Sequence, residues 1–179
     1  MNIYFDMDGV LAIYEPDAYI QPHPKFMRLN EHYYSSVKPD ELMIHLFNQL
    51  CLCKHHKTYI LTSVSTPLDI RSEQVIDKIQ WLERYCPQID IDNQFIVAAT
   101  DKRDTISAIG ISSPSDILID DFNRNLNHWK TVGGTAVKYC NGINSPDSFS
   151  GPKIYNTMKL HEIAKILNIE GDINDSALL

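Results

Sequence analysis

The chain has 179 residues, of which 44% are apolar and 22% charged, the balance of one folded domain rather than a disordered or low-complexity chain. Its 23 acids and 16 bases give a formal net charge of -7, which repels phosphate backbones and anionic lipid at long range and disfavours a polynucleotide or membrane partner. No apolar stretch approaches the ~20 residues of a membrane span, Asp6 and Asp8 interrupt any signal peptide, and Cys51, Cys53, Cys86 and Cys140 follow no secreted-scaffold spacing. A soluble cytoplasmic domain with reduced thiols is expected.

In chain order, Asn2-Ile3-Tyr4-Phe5 reads as a short strand delivering Asp6-Met7-Asp8-Gly9 into a loop. Residues 13–38 mix Pro16, Pro22 and Pro24 with Tyr14, Tyr19, Phe26, Tyr33 and Tyr34, and read as a small insertion with at most one or two short helices. Pro39-Asp40-Glu41 starts a helix, with proline in its first turn and acids at the positive end of the dipole; Leu42, Leu46, Phe47 and Leu50 follow at helical spacing. Lys57-Thr58-Tyr59-Ile60-Leu61 is a buried strand running into Thr62-Ser63, and a helix over 70–85 is expected to bury Val75, Ile76, Ile79 and Leu82 before Pro87.

Residues 95–99 form a third strand, followed by Thr100-Asp101-Lys102 and a short helix ending near Gly110. Residues 116–119 form a fourth, running into Asp120-Asp121; a helix through Leu126 and Trp129 stops at Gly133-Gly134. A fifth strand over 135–139 and a last helix over 158–167 precede a polar, frayed terminus. Strand alternating with helix predicts a parallel sheet covered on both faces, with its site at the carboxyl ends of the strands.

Four of those ends carry reactive residues: Asp6/Asp8, Thr62/Ser63, Lys102 and Asp120/Asp121. Carboxylates from two strands sharing one cleft repel one another unless a cation sits between them, and a hard cation with oxygen ligands, Mg²⁺, is implied. Lys102 and Thr62 suit phosphate oxygens. An aspartate can attack phosphorus to form an aspartyl-phosphate. Asp8 is placed to protonate the leaving alkoxide and then to deprotonate the hydrolytic water.

These residues resemble the haloacid dehalogenase (HAD) superfamily of phosphohydrolases: Asp6-Met7-Asp8-Gly9-Val10-Leu11 is similar to its first motif, Leu61-Thr62-Ser63 to its second, Lys102 to its third and Ile119-Asp120-Asp121 to its fourth. Within it, the Asp-Met-Asp-Gly-Val-Leu-Ala start, Leu-Thr-Ser and Leu-Ile-Asp-Asp are similar to the 5'(3')-deoxyribonucleotidase group. The resemblance implies a HAD-like, Rossmann-type three-layer sandwich over 1–179, with 13–38 as a minimal cap between the first two motifs. It implies a Mg²⁺-dependent phosphatase with Asp6 as nucleophile and Asp8 as general acid/base. The metal would be held by the Asp6 side chain, the Asp8 carbonyl and Asp121, with Asp120 beside it as a brace or alternative ligand. Lys102, Thr62 and Ser63 would bind the phosphate. The expected substrate is a small phosphomonoester, first of all a nucleoside monophosphate; a sugar phosphate, an exposed phosphate on a larger substrate, or a non-catalytic phosphate-binding module is the alternative. The chain departs from the group in two places: only 56 positions separate Asp6 from Thr62, and Ile13 replaces an acid before Tyr14.

The aromatics of 13–38 suit stacking on a base or packing of the insertion itself, and packing is favoured. His23, His32, Lys25 and Arg28 are further candidates for phosphate contact, none singled out by spacing. Cys51-x-Cys53 with His55-His56 matches no usual zinc-finger spacing, so no zinc is expected there.

Overall fold

The computed structural model describes residues 1–13, 19–20, 28–29, 33–64, 68–98, 102–109, 113–144 and 148–173. Six parallel strands form the main sheet in the order β5-β4-β1-β6-β7-β8, made by β1 (Asn2–Phe5), β4 (Lys57–Ser63), β5 (Phe95–Ala98), β6 (Ile117–Asp120), β7 (Thr135–Cys140) and β8 (Lys153–Tyr155). The chain builds outward from β1 through β4 to β5, then returns to the other side of β1 with β6. Strand order therefore reverses at β1, and the crevice beyond β1 and β6 is the switch point where open α/β sheets bind ligands.

Pleating explains the two cores. In β1, Ile3 and Phe5 face one layer and Tyr4 the other. The first layer takes Met43, Leu46, Phe47 and Leu50 of α1 (Glu41–Leu52), Trp81 and Leu82 of α2 (Leu68–Tyr85), and Leu160, Ile163 and Leu167 of α6 (Leu160–Leu167). The second takes Ile106 of α4 (Lys102–Ile109) and Leu126 and Trp129 of α5 (Asn123–Thr131). Gly133 ends α5 at φ 99°, and Gly134 must lack a Cβ because one would lie 2.2 Å from the Trp129 indole nitrogen.

Several elements differ from expectation for local reasons. Asp40, rather than Pro39 in the first turn, starts α1: its carboxylate accepts the Met43 N–H at 3.1 Å. The insertion contains an antiparallel pair, β2 (Tyr19–Ile20) with β3 (Arg28–Leu29), besides a 3-10 turn at Tyr33–Ser35. A four-residue α3 (Ile91–Gln94) leads into β5, and β8 is too short to show periodicity. The face of α2 is also rotated. Ile76 is 54% exposed and Val75 and Ile79 are half-buried, while Gln74, Lys78, Trp81 and Leu82 are buried. Trp81 takes over this face because its indole donates to the Val37 carbonyl at 2.9 Å within the core. The terminal segment is packed through residue 173, with Ile169 buried, because the left-handed Asn168 turns the chain back after α6. No helix among the described residues is long and apolar enough to cross a membrane.

Candidate active site

The site is built from the carboxyl ends of β1, β4 and β6 and the start of α4. The Asp6 N–H donates to the Ile119 carbonyl at 2.9 Å, prolonging the β1–β6 ladder by one residue and carrying the Asp6 carboxylate to the switch point. Asp6 Oδ1 accepts the Met7 N–H at 2.7 Å and pairs with Lys102 Nζ at 2.6 Å. Among the described residues, no hydrogen bond reaches Oδ2. Lys102, the first residue of α4 and almost completely buried, also pairs with Asp120 Oδ2 at 2.9 Å.

The adjacent acids of β6 have separate surroundings. Asp120 is saturated: Oδ1 accepts the Phe122 N–H at 2.7 Å, and Oδ2 accepts Asn125 Nδ2 at 2.9 Å besides Lys102. Asp121 receives Asn141 Nδ2 at 2.8 Å and Asn144 Nδ2 at 2.7 Å, both on Oδ2, which leaves Oδ1 open among the described residues. The Asn141 amide is oriented by the Ile143 N–H on its Oδ1, and it also donates to the Gly9 carbonyl. Buried Lys138 donates to the Asp121 carbonyl at 2.5 Å. Gly9 has φ 79°, and a Cβ there would lie 2.3 Å from Asp121 Oδ2, so only glycine lets this loop pass the carboxylate.

Charge accumulates here. Burial, reinforced by Asp120, Asp8 and Asp121, raises the Asp6 carboxyl well above the ordinary carboxylate range against the opposing pull of Lys102. Burial and then Asp120 push Asp121 up to about 6, opposed by the two asparagine amides and Lys102. Burial alone would lower the Lys102 ammonium, but Asp120 and Asp6 outweigh it and the net shift is upward. Asp6, Asp120 and Asp121 offer carboxylate oxygens within 4.8 Å of one another. An all-oxygen set with excess negative charge fits a hard divalent cation and fits a soft one poorly.

Asp8 is held separately. Tyr34 Oη donates to its Oδ1 at 2.5 Å, and Lys78 Nζ pairs with its Oδ2 at 2.6 Å. Lys78 is buried and also donates to the Thr62 hydroxyl. Thr62 is fully buried, and its hydroxyl accepts from this lysine and donates to Asp8 Oδ2 at 3.5 Å, while Ser63 lines the cavity. Successive strand residues point to opposite faces, so the two hydroxyls leave β4 on different sides. The cavity measures about 290 Å³ and is lined by Asp6, Asp8, Ser63, Lys102, Asp121, Phe122, Asn125 and Asn144.

The asparagines, Phe122 and Lys78 carry no motif signal. Lys78 alone was discoverable, three residues before Trp81 and four before Leu82, had Trp81 set the helix face. Tyr33 and Tyr34 are buried as expected of packing aromatics, and Tyr34 additionally reaches Asp8. Tyr14, His23, Lys25, Phe26 and His32 lie outside the described residues, as do the side chains of Tyr19 and Arg28.

A six-strand parallel sheet layered between helices is the HAD-like Rossmann-type fold. Comparison with solved structures agrees on the fold. A HAD hydrolase, family IA, variant 3, from Entamoeba histolytica is 17% identical at a TM-score of 0.63, over 93% of this chain and 99% of that one. The D,D-heptose 1,7-bisphosphate phosphatase from B. bronchiseptica, solved with magnesium and phosphate, is 11% identical at 0.59, over 86% and 91%. The corresponding enzyme from Burkholderia thailandensis is 11% identical at 0.53, over 86% and 90%. No protein-family model matches the sequence, and no curated protein matches it.

Proposed function

We propose that the chain is a Mg²⁺-dependent phosphomonoester hydrolase working through an aspartyl-phosphate on Asp6. The observation that carries this reading is the convergence of Asp6, Asp8, Lys102 and Asp121 on one small cavity at the switch point. Asp6 and Asp121 would hold the Mg²⁺, Asp121 through its open Oδ1, while Asp120 braces Lys102 and the first turn of α5. The bound cation supplies charge neutralisation for the transferring phosphoryl group.

This chain's own groups do the rest. Asp6 attacks phosphorus. Lys102 aligns the attacking carboxylate and offsets charge on the phosphoryl oxygens, and Ser63 and Asn144 donate to those oxygens. Asp8 donates a proton to the departing alkoxide and then takes one from the water that hydrolyses the acyl phosphate. Lys78 and Tyr34 hold the Asp8 carboxylate in place for both steps. The minimal cap over 13–38 contributes Tyr34.

For the leaving group, a nucleoside is our first choice: Phe122 is 49% exposed at the cavity wall, the one aromatic among its described lining residues, and offers a stacking face. A sugar phosphate is the second reading, favoured by the amides of Asn125 and Asn144 in the same wall and by the heptose bisphosphate phosphatases that share the fold. Phosphate release from deoxy- and ribonucleotides, sugar phosphates and an aryl phosphate, with and without Mg²⁺, tests both. Preference for nucleotides, reduced by Phe122→Ala mainly through KM, supports the first choice. Preference for sugar phosphates overturns it in favour of the second. No Mg²⁺-dependent release from any of them, in folded protein, argues for a phosphate-binding module.

A further inference from the structure

We propose a second metal site, formed by Cys53, His55 and Asp172, that takes a zinc-class divalent cation and fastens the terminal segment after α6 to the α1–β4 turn. Spacing gives no sign of this site, because Cys51-x-Cys53 with two histidines fits no usual finger and Asp172 is 117 positions from His55. The structure leaves Cys51 out and brings Asp172 in. Cys53 Sγ lies 3.2 Å and His55 Nδ1 2.9 Å from the same oxygen, Asp172 Oδ1. All three ligand atoms fall within 4.8 Å of one another. Bonds of ~2.0 Å to nitrogen and oxygen and ~2.3 Å to sulfur would set tetrahedral ligand atoms about 3.3–3.6 Å apart, so a small outward movement accommodates the ion.

The surroundings match such a site. The His55 backbone N–H donates to Cys53 Sγ at 3.4 Å. His56 Nε2 lies 2.6 Å from the other oxygen, Asp172 Oδ2. Among the described residues no partner reaches the buried His56 Nδ1, and with Nε2 facing a carboxylate the proton belongs on Nε2, which makes His56 the brace that aims Oδ1 at the ion. Thiolate and carboxylate neutralise a dication, and imidazole and sulfur select a borderline-soft metal over Mg²⁺. The His55 side chain is 80% exposed, so solvent can enter and fill the fourth position. Binding displaces the Cys53 thiol proton to solvent. The cluster precedes Lys57 at the amino end of β4, whereas the catalytic cavity lies at Ser63. The seven residues of that strand separate the two by about 20 Å.

The test uses the full chain, stripped with a chelator and titrated with Co²⁺ and then Zn²⁺. One equivalent of Co²⁺ is expected to give a thiolate-to-metal charge-transfer band that Zn²⁺ abolishes. Carboxylates at the catalytic site cannot produce that band. It should disappear in Cys53→Ser and persist in Cys51→Ser and Asp121→Asn. Zinc affinity, read by competition with a chromogenic chelator, should fall about 10–100-fold in His56→Ala, and by more in His55→Ala, which removes a ligand without touching a buried group. Circular dichroism confirms that each variant is folded. Absence of the band in folded wild type, its survival in Cys53→Ser, or unchanged zinc affinity in His55→Ala overturns the proposal.

Discussion

Asp6, Asp8 and Lys102 sit where a β-strand gives way to a loop or helix start, a transition that is local in sequence and therefore readable from it. The residues that tune them arrive by longer routes. Lys78 reaches Asp8 from a helix 70 positions away, and Asn141 and Asn144 reach Asp121 from the loop after β7. No local pattern marks the asparagines, and Lys78 is legible only from its spacing to Trp81 and Leu82. Because Lys78 holds Asp8 without lining the cavity, Lys78→Met is expected to lower kcat by roughly 10–100-fold, part of the usual contribution of a general acid/base. KM should change little, and steady-state kinetics separates the two. Gly9→Ala should weaken Mg²⁺ binding at least about tenfold by driving a methyl group into Asp121 Oδ2, measured by isothermal titration with the metal.

At the scale of elements, the alternating strands and helices and their order along the chain were legible because periodicity and turn residues are local properties. The facing of α2 was not. Its apolar residues Val75, Ile76 and Ile79 compete with Trp81 for the core, and only the packed structure shows that the larger side chain and its hydrogen bond prevail. Trp81→Ala is therefore expected to cost about 3–5 kcal/mol, whereas Ile76→Ala should stay within about 0.5 kcal/mol; urea unfolding of the two variants checks the difference. The frayed terminus was expected from polar composition, yet Ile169 is buried and Asp172 pairs with His55 and His56. That pairing spans most of the chain, beyond the reach of any windowed reading.

For the whole molecule, the buried carboxylates couple folding, metal and pH. Asp121 is raised from an ordinary 3.8 to about 6, so the folded metal-free protein binds its proton more tightly than the unfolded chain does. Its contribution to stability is complete below about pH 4 and is lost as pH rises through about 6. Mg²⁺ needs the ionised carboxylate, so its stabilising effect runs the other way, present above about pH 6 and lost below it. The increase in Tm on adding Mg²⁺ should accordingly be larger at pH 7.5 than at pH 5, as differential scanning calorimetry would show. The proposed reaction rests on Asp6 being the group that attacks phosphorus. The most direct test is Mg²⁺-dependent phosphate release by wild type and Asp6→Asn on the best substrate found, with both proteins shown to be folded. A loss of about 10³-fold or more in kcat is predicted, the scale of removing a nucleophile; activity in Asp6→Asn within tenfold of wild type would contradict the account.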